Sequence, residues 1–207
     1  MASQASITGV ILAGGLARRM GGGDKCLLPV GDKSLLTRSI ERSRDQVDDL
    51  LLNANGNALR FARTKLTVIP DIYPDNPGPM AGIHAALQWM ATHRPDSQWL
   101  ASFACDTPFF PHDLVARLYE AVDDQEHKIA VAISNGRLHP VFALWHISLL
   151  PALEATLASR KMPRLQHWLG NQGAAEVTWD TTPVDPFLNI NTPQDLYQAV
   201  DLLPQVD

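Results

Sequence analysis

The amino-acid sequence predicts an α/β fold whose central sheet is mostly parallel and becomes mixed in its second half. Three observations predict it. Short apolar runs alternate with longer amphipathic ones, the pattern of successive β-α-β units. The first run, ITGVILA at 7–13, is apolar almost throughout, which suits a central strand covered on both faces. Further on, two apolar runs are joined only by Asn135-Gly136, a tight turn that signals antiparallel pairing.

Taken in order, the first strand runs into GGLARRMGGGDK, a stretch with five glycines and three cations. Ser34 then stands as the N-cap of a helix through Gln46, with Leu35, Leu36, Ile40 and Val47 recurring at near-helical spacing. LLLNAN at 50–55, LTVIPD at 66–71 and WLASFACD at 99–106 read as three further strands, each ending in a polar residue. Between the last two, the Pro/Gly-rich NPGPMAG at 76–82 opens a helix to about His93, and another helix follows Pro111. KIAVAIS and LHPVFALWH form the hairpin about Asn135-Gly136. Helical segments at roughly 147–159 and 164–169 come next, then EVTWD. In FLNINTPQDLYQAVDLL, Thr192 caps, Pro193 takes the first helical position and Asp195 sits in the first turn, so a helix begins directly after Asn191.

A chain of 207 residues, 45% apolar and 19% charged, suits one domain with room for a small lobe. Its formal charge of −5 argues against a protein built to coat nucleic acid. The N-terminus MASQASITGV lacks a charged segment followed by a long apolar one, and nowhere do eighteen apolar residues run together. The expectation is a cytoplasmic protein with neither nucleic acid nor membrane as partner. Cys26 and Cys105 form no CxxC pair and lie in or beside apolar runs, so reduced, packed thiols are expected. Positive charge is local: Arg18, Arg19, Lys25, Lys33 and Arg38 fall within twenty-one residues.

Ligands of open α/β sheets bind at the carboxyl ends of the strands, which here carry Gly14-Gly15, Asn53, Asp71 and Asp106. A glycine pair lets the backbone approach a ligand and offer its N–H groups to anionic oxygens, while Arg18, Arg19 and Lys25 supply charge. The loop is not a Walker motif, since Lys25 follows Asp24 and precedes Cys26, and its glycine spacing is not GxGxxG. A carboxylate at a strand end usually caps a turn. Two of them beside a cationic glycine loop point beyond capping, and a hard divalent cation, which takes one or two carboxylates plus substrate phosphates, would fit Asp106.

Together, LAGGLARRMGGGDK, NAN, PGPMAG and CDTP resemble the molybdenum cofactor guanylyltransferases, a branch of the nucleotidyltransferase superfamily, over the whole chain. The resemblance implies a Rossmann-like three-layer α/β/α fold with a small C-terminal lobe. It places a GTP-binding half at about 1–126 and a molybdopterin-binding half at about 127–207. The implied reaction is transfer of GMP from Mg-GTP to the terminal phosphate of molybdenum-bound molybdopterin, with release of pyrophosphate. Carried onto this sequence, Leu12, Ala13 and Gly14 line the GTP site through their backbone, Lys25 meets the phosphates, Asn53 and Asp71 contact the nucleoside, and Asp106 binds both nucleotide and Mg²⁺. Lys25, Arg19 and Asp106 are the expected catalytic set. Gly15, Gly78 and Gly82 also match family positions, and Asn189, Asn191 and His139 are candidates for the acceptor side. Molybdopterin-carrying or molybdoenzyme-maturation proteins are the implied protein partners. The three consecutive glycines Gly21 to Gly23 are one more than the family pattern requires.

Other features have plainer readings. The seven histidines show no HExxH or comparable metal spacing. His139 lies beside Pro140 at the entry to a strand, where a satisfied structural histidine competes with an acceptor contact. Arg160, Lys161 and Arg164 form a second basic cluster, read as a solvated helix end or a contact for an anionic pterin. The enzymatic alternative is a cytidylyl- or sugar-phosphate nucleotidyltransferase. From another class comes a catalytically silent nucleotide-binding regulatory module, against which intact Lys25 and Asp106 stand.

Overall fold

The computed structural model describes residues 6–14, 23–73, 78–122, 126–159 and 163–206. Its core is one seven-stranded sheet. β1 (Ile7–Leu12) lies between β4 (Asp49–Asn53) and β6 (Trp99–Ala104), parallel to both, and β5 (Thr67–Ile69) extends the parallel block beyond β4. On the other side follow β8 (Arg137–His146), β7 (Ile129–Ser134) and β9 (Ala175–Trp179), giving the order β5-β4-β1-β6-β8-β7-β9. β8 alone runs antiparallel to its neighbours, while β7 and β9 pair parallel. The mixed, mostly parallel sheet expected from the alternating pattern is what forms.

Alternate side chains of each strand go to opposite layers. Val10, Leu51 and Leu100 pack under α2 (Pro79–His93), α4 (Leu150–Ala158) and α5 (Leu165–Asn171). Ile11, Leu52 and Phe103 pack under α1 (Leu35–Arg44), α3 (Leu114–Glu120) and α6 (Pro193–Val206). Both layers are mainly apolar at the sheet, interrupted in the central strands by buried Thr8 and Ser102, which explains why those strands read as nearly continuous hydrophobic runs.

Local chemistry sets the element ends. Ser34 accepts from the Thr37 N–H and starts α1. Thr192 and Asp195 cap α6 reciprocally: Asp195 Oδ2 accepts from the Thr192 N–H at 2.8 Å, and Thr192 Oγ1 accepts from the Asp195 N–H at 3.2 Å. Asn135 and Gly136 both take positive φ, 48° and 68°, as the hairpin turn requires. The register of β8 shifts at Pro140 to Phe142, where the Pro lacks a ladder donor. Ser102 Oγ donates to the Val141 carbonyl there and accepts from the buried Trp145 Nε1 at 2.8 Å. Thus the irregular turn of β8 is fastened to β6 at the level of the rim.

Three details differ from the sequence expectation. The strand expected at 66–71 is cut to Thr67–Ile69, because Pro70 offers no N–H. A two-stranded ribbon, β2 (Pro29–Val30) with β3 (Lys33–Ser34), precedes α1. A run of 3-10 helix, Ala58–Thr64, fills the β4–β5 connection. Among the described residues no helix is long and apolar enough to cross a membrane.

Candidate nucleotide site

The register brings Leu12 level with Asn53 on one side and Ala104 on the other, and Asn53 level with Ile69. Four strand ends therefore meet at one rim, around a cavity of about 310 Å³. Leu12, Ala13, Gly14, Lys25, Asn53, Asp71 and Asp106, widely spaced in sequence, all line it. The N-terminus of α2 opens onto the same space through Gly78 and Pro79, and a 15-residue helix end is a favourable neighbour for an anion. A Cβ at Gly14 would meet nothing within 4 Å, so that glycine faces open space. Gly15 and Arg19 lie outside the described residues, as do Arg18, Arg160 and Lys161.

At one end of the cavity, Asp71 is held by two asparagines. Asn53 Nδ2 donates to Asp71 Oδ1 at 2.9 Å and Asn55 Nδ2 to Oδ2 at 2.8 Å, while the Asp71 N–H donates to Asn55 Oδ1 at 2.8 Å. Asn53 Nδ2 also reaches the Ile69 carbonyl at 3.2 Å. Each carboxylate oxygen keeps a further lone pair for a donor on a ligand. Gly82 lies in the first turns of α2 and is forced by close approach: a Cβ there would stand 2.3 Å from Asn53 Oδ1.

At the other end stands Lys25, at the start of a single 3-10 turn, Lys25–Leu27. Its ammonium donates to Asp106 Oδ2 and Asn191 Oδ1, both at 2.6 Å. Among the described residues, Asp106 Oδ1 has only a 3.4 Å contact from the Thr107 hydroxyl. Two uncharged or anionic oxygens thus already converge on one cationic centre. Oxygen donors of this kind suit a hard divalent cation whose remaining positions are filled by phosphate and water. Among the described residues no group of three or more His, Cys, Asp or Glu side chains could hold a metal, so a cation here would lean on substrate oxygens.

Asn191 reaches the site because its segment is pinned along its length. The Ile190 N–H donates to the Asp106 carbonyl at 2.8 Å, and buried Thr107 donates its hydroxyl to Asn189 Oδ1. The Asn191 N–H donates to Asp195, which holds that carboxyl below its usual range. Further back, Asp185 accepts from the Phe187 N–H and from the Ser134 hydroxyl, at 2.9 Å each. Asn189 therefore fastens the segment to Thr107, whereas Asn191 presents its side chain to Lys25.

His139 is buried, bonded through Nε2 to Ser134 Oγ at 2.7 Å and stacked on Phe187 at 4.5 Å. Ser134 has one proton and gives it to Asp185, so His139 Nε2 carries the hydrogen in their contact. On β8 the cavity is lined by Val141. Cys26 and Cys105 are free, buried and in the cavity wall beside Lys25 and Asp106. Burial pushes the Cys105 thiol up, and its hydrogen bond to Cys26 lowers the latter.

Residue-by-residue reading of the sequence missed Asn55, Thr107, Ser134 and Asp185. Asn55 was visible within NAN, since an Asx pair at a strand end offers two amides to one carboxylate. The others act across long sequence separations and left no local signal.

The chain matches the model of the MobA-like NTP transferase domain over residues 9–176. It is 47% identical over 191 residues to the molybdenum cofactor guanylyltransferase of Nitrobacter hamburgensis, covering 92% of this chain and 91% of that one. It is likewise 47% identical over 199 residues to the molybdenum cofactor guanylyltransferase of Rhodopseudomonas palustris, covering 96% and 95%. In fold it is similar to the crystal structure of molybdopterin-guanine dinucleotide biosynthesis protein A from Archaeoglobus fulgidus, with a TM-score of 0.75, 20% identity, and coverage of 96% and 99%.

Proposed function

We infer the reaction from one premise, that the chain belongs to the MobA-like NTP transferase family: it is a molybdenum cofactor guanylyltransferase, transferring GMP from GTP to the terminal phosphate of molybdenum-bound molybdopterin and releasing pyrophosphate. The observation that carries the reading to this chain's own residues is the placement of Lys25 between Asp106 and Asn191 in the wall of a cavity that Leu12, Ala13 and Gly14 also line.

An oxygen of the acceptor's terminal phosphate attacks the α-phosphorus of GTP, forming a P–O bond as the α–β bridge bond breaks and pyrophosphate leaves with its electron pair. Two anions must approach and a third must depart, so alignment and charge neutralisation are what the protein supplies. No nucleophilic side chain is needed. In our reading, Leu12, Ala13 and Gly14 pass their backbone along the nucleotide, and Asn53 with Asp71 holds the nucleoside. Lys25 exchanges its contact with Asn191 for a phosphate oxygen, while Gly82 leaves the room that Asn53 occupies. Gly15 and Arg19 complete the loop in the proposal. Asp106, with Asn191 as a second oxygen donor, would hold Mg²⁺, which when bound supplies neutralisation of phosphate charge. His139 and Asn189 keep the acceptor-side segment in place, and Asn191 bonds to Lys25 beside Asp106. A protein that carries molybdopterin or matures a molybdoenzyme belongs to the same proposal as a partner.

The test is pyrophosphate release by the purified protein with GTP, Mg²⁺ and molybdenum-loaded molybdopterin, with CTP and ATP as competitors. GTP-dependent release is expected, and Asp106→Ala should abolish it with the thermal melt preserved. Preference for CTP would overturn the guanylyl assignment. Pyrophosphate that never appears would favour the silent binding module.

A further inference from the structure

Asp24 occupies the N-cap position of the turn that carries Lys25, yet its carboxylate makes no hydrogen bond to that turn. It is instead paired with Arg60, Oδ2 lying 2.7 Å from Nε, and both side chains are well covered, at 18% and 28% exposure. The other edge of the same guanidinium donates to two main-chain carbonyls, Asn57 at 2.7 Å and Asn55 at 2.5 Å. Its plane lies over the ring of buried Phe61, 4.5 Å from the centroid. Each of the three guanidinium nitrogens thus has a partner, a fixed-fork arrangement that a lysine would not reproduce. Asn55, whose carbonyl Arg60 holds, is the residue whose side chain grips Asp71 through both amide atoms.

One side chain therefore joins Asp24, the residue before Lys25, to Asn55, the residue that grips Asp71, and both Lys25 and Asp71 line the cavity. We propose that Arg60 is the positioning residue of the nucleotide site, tying the turn that places Lys25 to the loop that places Asn55 and Asp71. The distance between the group that meets phosphate and the group that meets nucleoside is then set by a tie rather than by two separate loops. Arg60 touches no reacting atom. It acts by fixing the separation of two groups that do, and a small displacement of such groups is costly. The inference rests on the reading of Lys25 as the phosphate contact.

The experiment measures the dissociation constant of GTP with Mg²⁺ for the full chain, with Arg60→Ala and Arg60→Lys introduced into the wild-type protein and into Lys25→Met. Arg60→Ala in the wild-type background should weaken GTP about tenfold, the scale of a charge-assisted pair, and Arg60→Lys should restore only part of that. In Lys25→Met the same change should cost clearly less, because no ammonium remains to be placed; a purely structural role would cost the same in both backgrounds. Equal losses in the two backgrounds, or no loss in the first, overturn the proposal. If Lys25→Met itself binds GTP as the wild type does, the phosphate reading falls and takes the proposal with it. Asp24→Asn probes the same tie from its other end. It should weaken GTP without adding to Arg60→Ala, and full additivity would count against the tie even if Arg60→Ala folds poorly.

Discussion

At Gly82 two opposing effects can be compared by size. Alanine is worth about 1 kcal/mol over glycine inside a helix. Its Cβ would also stand 2.8 Å from Asn53 Cγ and 2.9 Å from Leu12 Cδ2, well inside contact distance. Overpacking of this kind costs about 1–3 kcal/mol, so the clash outweighs the helix gain. Asn53 is the mobile partner, and moving it breaks its bonds to the Ile69 carbonyl and Asp71. Gly82→Ala should therefore weaken GTP by about tenfold with only a modest change in melting temperature. Unaltered GTP affinity in a folded Gly82→Ala protein would show that Asn53 does not serve the nucleotide. The sequence marked Gly82 only through the likeness of its loop. The reason for the glycine lies 29 positions upstream at Asn53, so no local pattern could display it.

Among the elements, the segment between β9 and α6 has no regular structure and depends on side-chain ties. Asp185 is its anchor, accepting from Ser134, which is fully buried at the end of β7, and from the Phe187 N–H. Asp185→Ala should cost about 1–3 kcal/mol, the price of leaving a buried hydroxyl short of its acceptor. Because Asn191 rides on this segment, turnover should fall further than the stability loss explains; a variant that melts early but turns over normally would refute this coupling. Elements with local signatures were legible. The Ser34 cap, the Asn135-Gly136 turn and the Thr192-Pro193-Asp195 start of α6 are written within four residues each, and all three form where expected. The Ala58–Thr64 helix was not anticipated: its Ala, Leu and Arg favour helix, but seven residues are too few to show a periodic apolar face, and Arg60 within it looks like any surface cation.

For the molecule as a whole, burial first holds the imidazoles of His84, His139 and His146 below the ordinary histidine value of 6.5. Glu154 opposes this at His84 and Asp185 at His139, while Arg137 and Lys128 reinforce it at His139 and His146. A folded-state value below the unfolded one means that the unfolded chain takes up protons first as pH falls. Stability is therefore complete above about 6.5 and erodes below it, by up to about 1.4 kcal/mol per pH unit for each proton gained. Neither ring nitrogen of buried His84 has a hydrogen-bond partner among the described residues, so His84→Leu should raise the melting temperature at neutral pH and flatten the acid limb. Melting curves from about pH 8 to pH 5 would check both, and a flat profile for the unmodified protein would contradict the assignment. The bond from Lys25 to Asn191 spans 166 residues. During synthesis, a chain that has emerged only through β9 already owns every strand of its sheet, Lys25 and Asp106 included, but not Asn191. The rim is consequently completed only after every strand has been made, in the same late stretch of chain whose Phe187, Ile190 and Ala199 close one of the two core layers, so the site and that layer are finished together.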